Sequence, residues 1–113
     1  LAGGGVVKTE KYSDRRLLIR GFGIAVTSWN TIWSGSELRY GYTNTITYPI
    51  SFTTVQNIQC CSYSVNAGYN EPTWYMGQQK GLKSATLFRP IFGAKVGSEN
   101  PTHFDFVVEG VWE

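Results

Sequence analysis

The sequence is poor in charged residues, and it contains no long apolar run. Ten Lys or Arg and eight Asp or Glu occur in 113 residues, so the net charge is only +2. A nucleic-acid-binding protein would carry a larger basic patch, and a membrane-spanning helix would need about eighteen consecutive apolar residues. We therefore expect neither a nucleic-acid partner nor insertion into a membrane.

Cysteine and histidine are scarce too, and this limits the chemistry. Cys60 and Cys61 are adjacent, and neighbours in a strand point to opposite faces, so the two thiols are poorly placed to bridge each other. With the single histidine, His103, they make no recognisable zinc site. The acidic residues are scattered over predicted turns and loops rather than paired. We expect a protein that is not an enzyme, with no catalytic residue, no metal and no cofactor.

Glycine and aromatic residues are abundant instead. The chain has thirteen Gly, four Trp, seven Tyr and six Phe. This composition is typical of short strands joined by tight turns. No segment repeats apolar residues at helical spacing over three turns. The pattern predicts an all-β, antiparallel β-sandwich that is jelly-roll-like, with about seven to eight strands.

The strand boundaries follow from alternation and from turn residues. Residues 28–37, 66–72 and 93–102 are expected to be polar loops, and Pro90 is expected to put its strand at a sheet edge. We expect a linker over residues 1–5 and one domain over 6–113. The predicted strands cover residues 6–12, 16–27, 38–47, 55–65, 73–78, 84–92 and 103–112.

Strict alternation assigns side chains to faces in the predicted strands 16–27 and 103–112. One face of 16–27 carries Leu18, Phe22 and Ile24, and the other carries Leu17 and Ile19. The last strand carries Phe104, Phe106 and Val108 on one face and His103, Asp105 and Val107 on the other. Both faces of 16–27 are apolar, which is more than one face of a sandwich needs.

Aromatic side chains beside Asn, Ser, Thr and Gly are the best candidates for a binding site. Aromatic faces stack on the apolar faces of sugar rings, while small polar groups bond sugar hydroxyls. The same mixture serves protein recognition. Alternatively, Trp29 and Trp33 of the first loop fill the end of the sandwich or an interface between subunits. The candidate ligand-binding residues are Trp29, Trp33, Tyr69, Asn70, Trp74 and Tyr75.

Three segments carry a resemblance to the C-terminal receptor-binding domains of bacteriophage or prophage tail fibre and baseplate proteins. They are the opening turn Tyr12-Ser13-Asp14 with the later Phe22-Gly23 step, the segment Tyr48-Pro49-Ile50-Ser51-Phe52, and the ending Val108-Glu109-Gly110-Val111-Trp112. Two features depart from the family pattern, since Arg15-Arg16 stands where Gly and a small residue are expected, and Glu109 where an apolar residue is commoner.

The resemblance implies a homotrimer at the tip of a viral fibre, acting outside the cell on a polysaccharide or protein of a bacterial surface. Residues 1–5 would then be a linker from an upstream fibre. Linked weak sites in a trimer would gain from multivalency.

Three other functions remain open at this point. The domain could be an oligomerisation cap that registers a fibre and binds no receptor. It could be a glycan-binding module of a bacterial surface protein. It could also be a glycan-degrading enzyme, which would need two carboxylates flanking a cleft.

Overall fold

The computed structural model describes residues 5–63, 73–78, 85–95 and 101–112. These residues form strands and no helix, which confirms the predicted all-β class. No helix able to cross a membrane is therefore found among them. The strands are β1 (Val6–Lys11), β2 (Arg16–Ala25), β3 (Asn30–Ser34), β4 (Leu38–Tyr42), β5 (Ile46–Thr47), β6 (Thr54–Tyr63), β7 (Thr73–Gln78), β8 (Leu87–Phe88), β9 (Pro90–Lys95) and β10 (His103–Val111).

Eight of these strands build two four-stranded sheets. Sheet A has the order β1-β2-β10-β6, sheet B has the order β3-β4-β9-β7, and β5 pairs with β8 in a small third sheet. Every pairing is antiparallel. The predicted antiparallel β-sandwich is confirmed. The described strands number ten rather than seven or eight, partly because the run 38–47 divides into β4 and β5.

Phenylalanine rings fill the space between the sheets. Phe104 and Phe106 of β10 are buried, as the alternation predicts, and they meet Phe92 of β9 and Phe88 of β8. Ring centroids are 5.3 Å apart for Phe88 and Phe106, and 5.6 Å apart for Phe92 and Phe104. These tilted and edge-on contacts are the arrangements that aromatic quadrupoles favour. The aromatic core therefore ties β10 of sheet A to β9 of sheet B.

The alternation of β2 is interrupted at Gly23, and for this reason the predicted face of Ile24 is wrong. Phe22 and Gly23 together oppose Asp105 of β10, so β2 contains one additional residue. Gly23 has a φ of 62°, and its N–H donates to Asp105 Oδ1 at 2.8 Å. Such a bulge reverses the pleat beyond it. Phe22 therefore stays exposed on the outer face, whereas Ile24 is buried in the core.

Part of the expected loop 28–37 is a strand. β3 pairs with β4 from Asn30, opposite Tyr42, to Ser34, opposite Arg39, with a bulge between Thr31 and Trp33. All five of its side chains are exposed. Because the bulge removes the alternation and no side chain enters the core, the sequence of β3 lacks the usual signal of a strand.

The expectation that Pro90 marks an edge strand is also wrong. β9 lies between β4 and β7 in sheet B. Pro90 is its first residue, a position where the missing N–H costs the ladder little. The Pro90 carbonyl accepts the N–H of Thr43 at 3.2 Å. Pro90 therefore begins a central strand and does not lie on an edge strand.

Residues from the three resemblance segments meet at one end of the sandwich. A Cβ on Gly110 would lie 2.1 Å from the carbonyl oxygen of Thr54 and 2.8 Å from Phe52, so a side chain here would collide with its neighbours. Two residues later, the indole N–H of Trp112 donates to the carbonyl of Tyr12 at 3.2 Å. The Gly-x-Trp spacing thus lets the last strand pass Phe52 and then close on the opening turn.

Candidate functional site

Four directly opposed residues cross sheet B from one edge to the other. Trp33 on β3 pairs with Tyr40 on β4, Tyr40 pairs with Gly93 on β9, and Gly93 pairs with Trp74 on β7. Residues directly opposite each other in antiparallel strands point to the same side of the sheet. Trp33, Tyr40, Gly93 and Trp74 therefore share one face, and we name this set the aromatic row.

The aromatic row lies on the outer face of sheet B. Phe92 and Ala94, the neighbours of Gly93, are fully buried, so Gly93 points away from the core. The side chains of Trp33 and Trp74 are exposed, at 48% and 36%. Three strand spacings separate the ends of the row, which is about 14 Å. Two large apolar surfaces thus face solvent on one side of the sandwich.

Glycine at position 93 shapes the centre of the row. A Cβ there would lie 2.5 Å from Nε1 of Trp74 and 2.9 Å from the sulfur of Met76. The side chains of Trp74 and Met76 therefore lean from β7 over Gly93 of β9. They occupy the space that a side chain at position 93 would fill. The apolar side chains of Trp74 and Met76 therefore lie close to the backbone of the sheet.

The other end of the row is a stacked pair. The rings of Trp33 and Tyr40 have centroids 5.8 Å apart and planes inclined by 22°. Trp33 also leans over Gly35, where a Cβ would come within 2.3 Å of the indole. Stacking and the bare glycine together hold the Trp33 indole against the sheet. Rigid rings lose little conformational entropy on binding a ligand.

The four strands of sheet B carry basic residues and no acidic ones. β3, β4, β7 and β9 contain no Asp or Glu. Lys95 lies opposite Leu38, two residues from Gly93 along β9. The Arg89 guanidinium lies 3.8 Å from the centroid of the Tyr42 ring. The face is therefore aromatic and apolar, with charged groups only near its ends, where Glu37 of the β3–β4 turn precedes Leu38, and this suits a ligand that has an apolar side.

Of the six predicted site residues, Trp33 and Trp74 lie on the same exposed face of sheet B. Trp29 is half-buried against the core, and its indole N–H donates to Thr31 Oγ1 at 3.1 Å. Tyr75 packs on Phe92 inside the sandwich. Burial is the main cause that raises the pKa of the Tyr75 hydroxyl. The remaining two, Tyr69 and Asn70, lie outside the described residues.

Sequence reasoning missed Tyr40, Gly93 and Met76 as members of this surface. Tyr40 and Met76 each had a signal, because alternation puts Tyr40 with Leu38 and puts Met76 with Trp74. Gly93 had no such signal, because its segment was expected to be a loop. Its role depends on a tryptophan that lies on a different strand.

The outer face of sheet A has a depression of about 390 Å³, lined in part by Leu18, Phe22 and Val107. Its arginines already face carboxylates. Arg16 Nε lies 3.9 Å from Asp14, and Arg20 Nε lies 3.9 Å from Glu10. Charges in this depression are thus partly compensated within the chain, and the aromatic row is the better candidate for a ligand site.

The residues considered for catalysis or metal binding lie apart in the part of the chain that the structure describes. No three His, Cys, Asp or Glu side chains form a group able to hold a metal there. His103 stacks on Tyr63 and shares a 2.9 Å hydrogen bond with Thr102 Oγ1. Cys60 and Cys61 are free thiols, the first half-buried and the second exposed.

In comparisons with protein-family models, with curated proteins and with solved structures, no match to this chain was found. The aromatic row itself is consequently the basis for an assignment of function.

Proposed function

We propose that this chain is a carbohydrate-recognition domain of a phage fibre tip, and that the aromatic row binds a polysaccharide of a bacterial surface. The observation that carries the proposal is the placement of Trp33 and Trp74 on one exposed face, joined by Tyr40 and Gly93. The resemblance of the three motif segments to phage fibre domains is the basis for the fibre tip and the bacterial host in this proposal.

The shape of the row favours an oligosaccharide over a single sugar. Each indole offers one flat apolar surface, which matches the apolar face of one sugar ring. The two tryptophans belong to the outermost strands of the sheet, and the Trp74 indole leans one strand inward over Gly93, so roughly two strand spacings, about 10 Å, separate the rings. A single ring cannot contact both, whereas a chain of sugars laid across the strands can. Gly93 lets the Trp74 indole lie close to the sheet at one end of this path.

The homotrimer that the resemblance implies stays a prediction. Individual sugar sites of this kind are weak, and a trimer would hold three of them at high effective concentration. The outer face of sheet A exposes Val6, Phe22 and Val107, and contact between copies there would remove apolar surface from water. The molar mass of the chain in solution tests this assembly.

A glycan array followed by titration calorimetry tests the recognition. With the glycan that the array selects, Trp33→Ala and Trp74→Ala should each weaken binding at least tenfold, which corresponds to about 1.4 kcal/mol. Tyr63→Ala is the matched control, because Tyr63 is an aromatic residue exposed to 37% on β6 of the opposite sheet and lies outside the Val6, Phe22 and Val107 surface. It should leave the affinity unchanged.

Two results would contradict the proposal. One is wild-type affinity in the Trp33→Ala, Trp74→Ala double variant when its thermal unfolding is intact. The other is adsorption of a fibre to its host that survives the same double variant, which would favour the cap without receptor binding. A neighbouring catalytic domain in the full-length protein would favour the glycan-binding module of a bacterial surface protein instead.

A further inference from the structure

Leu18 lies on the outer face of sheet A, in the middle of a group of charged side chains. Its partners across the neighbouring strands are Glu10 of β1 and Glu109 of β10. Arg16 and Arg20 lie two residues before and after it on β2, so they project from the same face. Each arginine is therefore a diagonal neighbour of Glu109, at about 7–8 Å, which long side chains can span.

Both arginines turn toward β1 instead. Arg20 Nε faces Glu10 at 3.9 Å, and Arg16 Nε faces Asp14 at 3.9 Å. The Arg16 guanidinium also lies 4.3 Å from the centroid of the Tyr12 ring. These three partners belong to β1 or to the turn that follows it. The two guanidinium groups therefore lean to one side of Leu18.

Glu109, on the other side, is left without a charged partner. It is half-buried, and its carboxylate takes part in no ion pair or hydrogen bond with the described residues. The Nε of Arg20 is buried and likewise has no hydrogen-bond partner in this part of the chain. Leaving such groups unpaired costs free energy. The depression of about 390 Å³ is lined by Glu109 and both arginines, and Leu18 and Tyr12 also line it.

We propose that this depression binds a zwitterionic amino acid with an apolar side chain. The ammonium group of the ligand would pair with Glu109, and its carboxylate would accept hydrogen bonds from Arg16 and Arg20. Its side chain would contact Leu18 and Tyr12. A depression of about 300–1,000 Å³ with apolar walls and a few convergent polar groups is typical of small-molecule sites.

A ligand with a single charge would match these groups less well. A simple anion would be attracted by the two guanidinium groups but repelled by Glu109, and a simple cation would meet the opposite balance. Hydrogen bonds to charged groups are the strong ones. Only a ligand that carries both charges can make them on both sides of Leu18.

The proposed site is distinct from the surface at which copies of the chain are expected to touch. That surface is centred on Phe22, which lies opposite Val6, whereas the charged groups surround Leu18. Phe22 and Val107 line the depression at its border with that surface. The amino acid would therefore occupy the half around Leu18, and a subunit contact the half around Phe22.

An NMR titration with racemic leucine, leucine amide and N-acetylleucine at neutral pH tests the proposal. Leucine amide lacks the carboxylate, and N-acetylleucine lacks the ammonium group. Leucine should shift the backbone amide signals of Leu18, Arg20 and Glu109 until they saturate. Each of the other two compounds should bind about tenfold more weakly, because each loses one set of hydrogen bonds between charged groups.

Glu109→Gln separates the two charged contacts. This variant should lose the preference for leucine over N-acetylleucine and keep the preference for leucine over leucine amide. Glu37→Gln is the matched control, since it removes the same charge from an exposed position between β3 and β4 of the other sheet. It should keep both preferences. Arg20→Gln should narrow the preference for leucine over leucine amide.

Three results would each overturn the proposal: no saturable shift with leucine, equal affinity for the three compounds, or a preference over N-acetylleucine that survives in Glu109→Gln. The series of compounds on the wild type decides by itself if a variant fails to fold. None of these outcomes touches the sugar-binding proposal, because the aromatic row lies on the other sheet.

Discussion

The indole of Trp74 occupies the space directly above Gly93, on the neighbouring strand of sheet B. A Cβ at position 93 would lie 2.5 Å from Nε1 and 2.6 Å from Cε2 of this indole. Such distances are too short for carbon and nitrogen atoms that are not bonded to each other. The orientation of Trp74 therefore depends on the absence of a side chain at residue 93.

Gly93→Ala should displace Trp74 and weaken glycan binding by roughly tenfold, about 1.4 kcal/mol, while the sandwich remains folded. The near-ultraviolet circular dichroism of tryptophan should change with it. The effect should disappear in a Trp74→Ala background, because coupled neighbours are not additive. An equal loss of affinity from Gly93→Ala in both backgrounds would show that the glycine acts by another route.

Tyr48→Phe should stabilise the fold by about 1 kcal/mol. The Tyr48 ring packs edge-on to Phe52 at 5.1 Å and stacks on Phe88 at 5.8 Å. Its hydroxyl is buried and has no hydrogen-bond partner among the residues that the structure describes. Removing this oxygen keeps the ring contacts and ends the cost of desolvating it. Urea unfolding measures the change.

Tyr48→Ala provides the comparison for that measurement. It removes the ring as well as the hydroxyl and should cost about 3–5 kcal/mol, as for other large aromatic residues cut back to alanine in a core. If Tyr48→Phe also destabilises the protein by more than about 1 kcal/mol, the hydroxyl has a partner and the prediction is wrong.

Stability should decline at alkaline pH because of Cys60. Burial is the main cause that raises the pKa of the Cys60 thiol, and the neighbouring Cys61 raises it further. Above about pH 8.5, the usual pKa of a free thiol, the unfolded chain gives up this proton while the folded chain keeps it. The unfolded state then binds fewer protons, so the free energy of unfolding falls as the pH rises. Below that pH, Cys60 does not contribute to the pH dependence of the free energy of unfolding.

Urea unfolding between pH 7 and pH 10 measures this effect. The wild type should lose at most about 1.4 kcal/mol per pH unit from this thiol, and Cys60→Ala should flatten the curve above pH 8.5. Cys61→Ala is the matched control, because it removes the adjacent, exposed thiol. It should keep the wild-type slope. Parallel curves for wild type and Cys60→Ala would refute the assignment.

Alternation alone was sufficient to predict the faces of the regular strands. Phe104, Phe106 and Val108 are buried on β10 as predicted. On β7, Trp74 and Met76 are exposed while Tyr75 is more buried, which also follows the pattern. These assignments succeed because the pleat is a local property that makes successive side chains point to opposite faces.

The same rule fails where the backbone is irregular or where pairing is decided at a distance. Ile24 changes face because of the bulge at Gly23, whose N–H is held by Asp105, a residue eighty-two positions away. β3 is a strand because β4 pairs with it, although none of its side chains is buried. Neither fact has a counterpart in the local pattern of apolar residues.

The sequence by itself determined the all-β class, the alternation of the regular strands and the presence of tryptophan beside polar residues, because these depend on composition and on neighbours in the chain. Only the tertiary structure decided that Trp33 and Trp74 share a face and that the Trp74 indole lies over Gly93. Strand order produces this arrangement, since β4 and β9 pair between the two tryptophan strands. That order results from burying phenylalanine rings far apart in the chain, and no short segment encodes it.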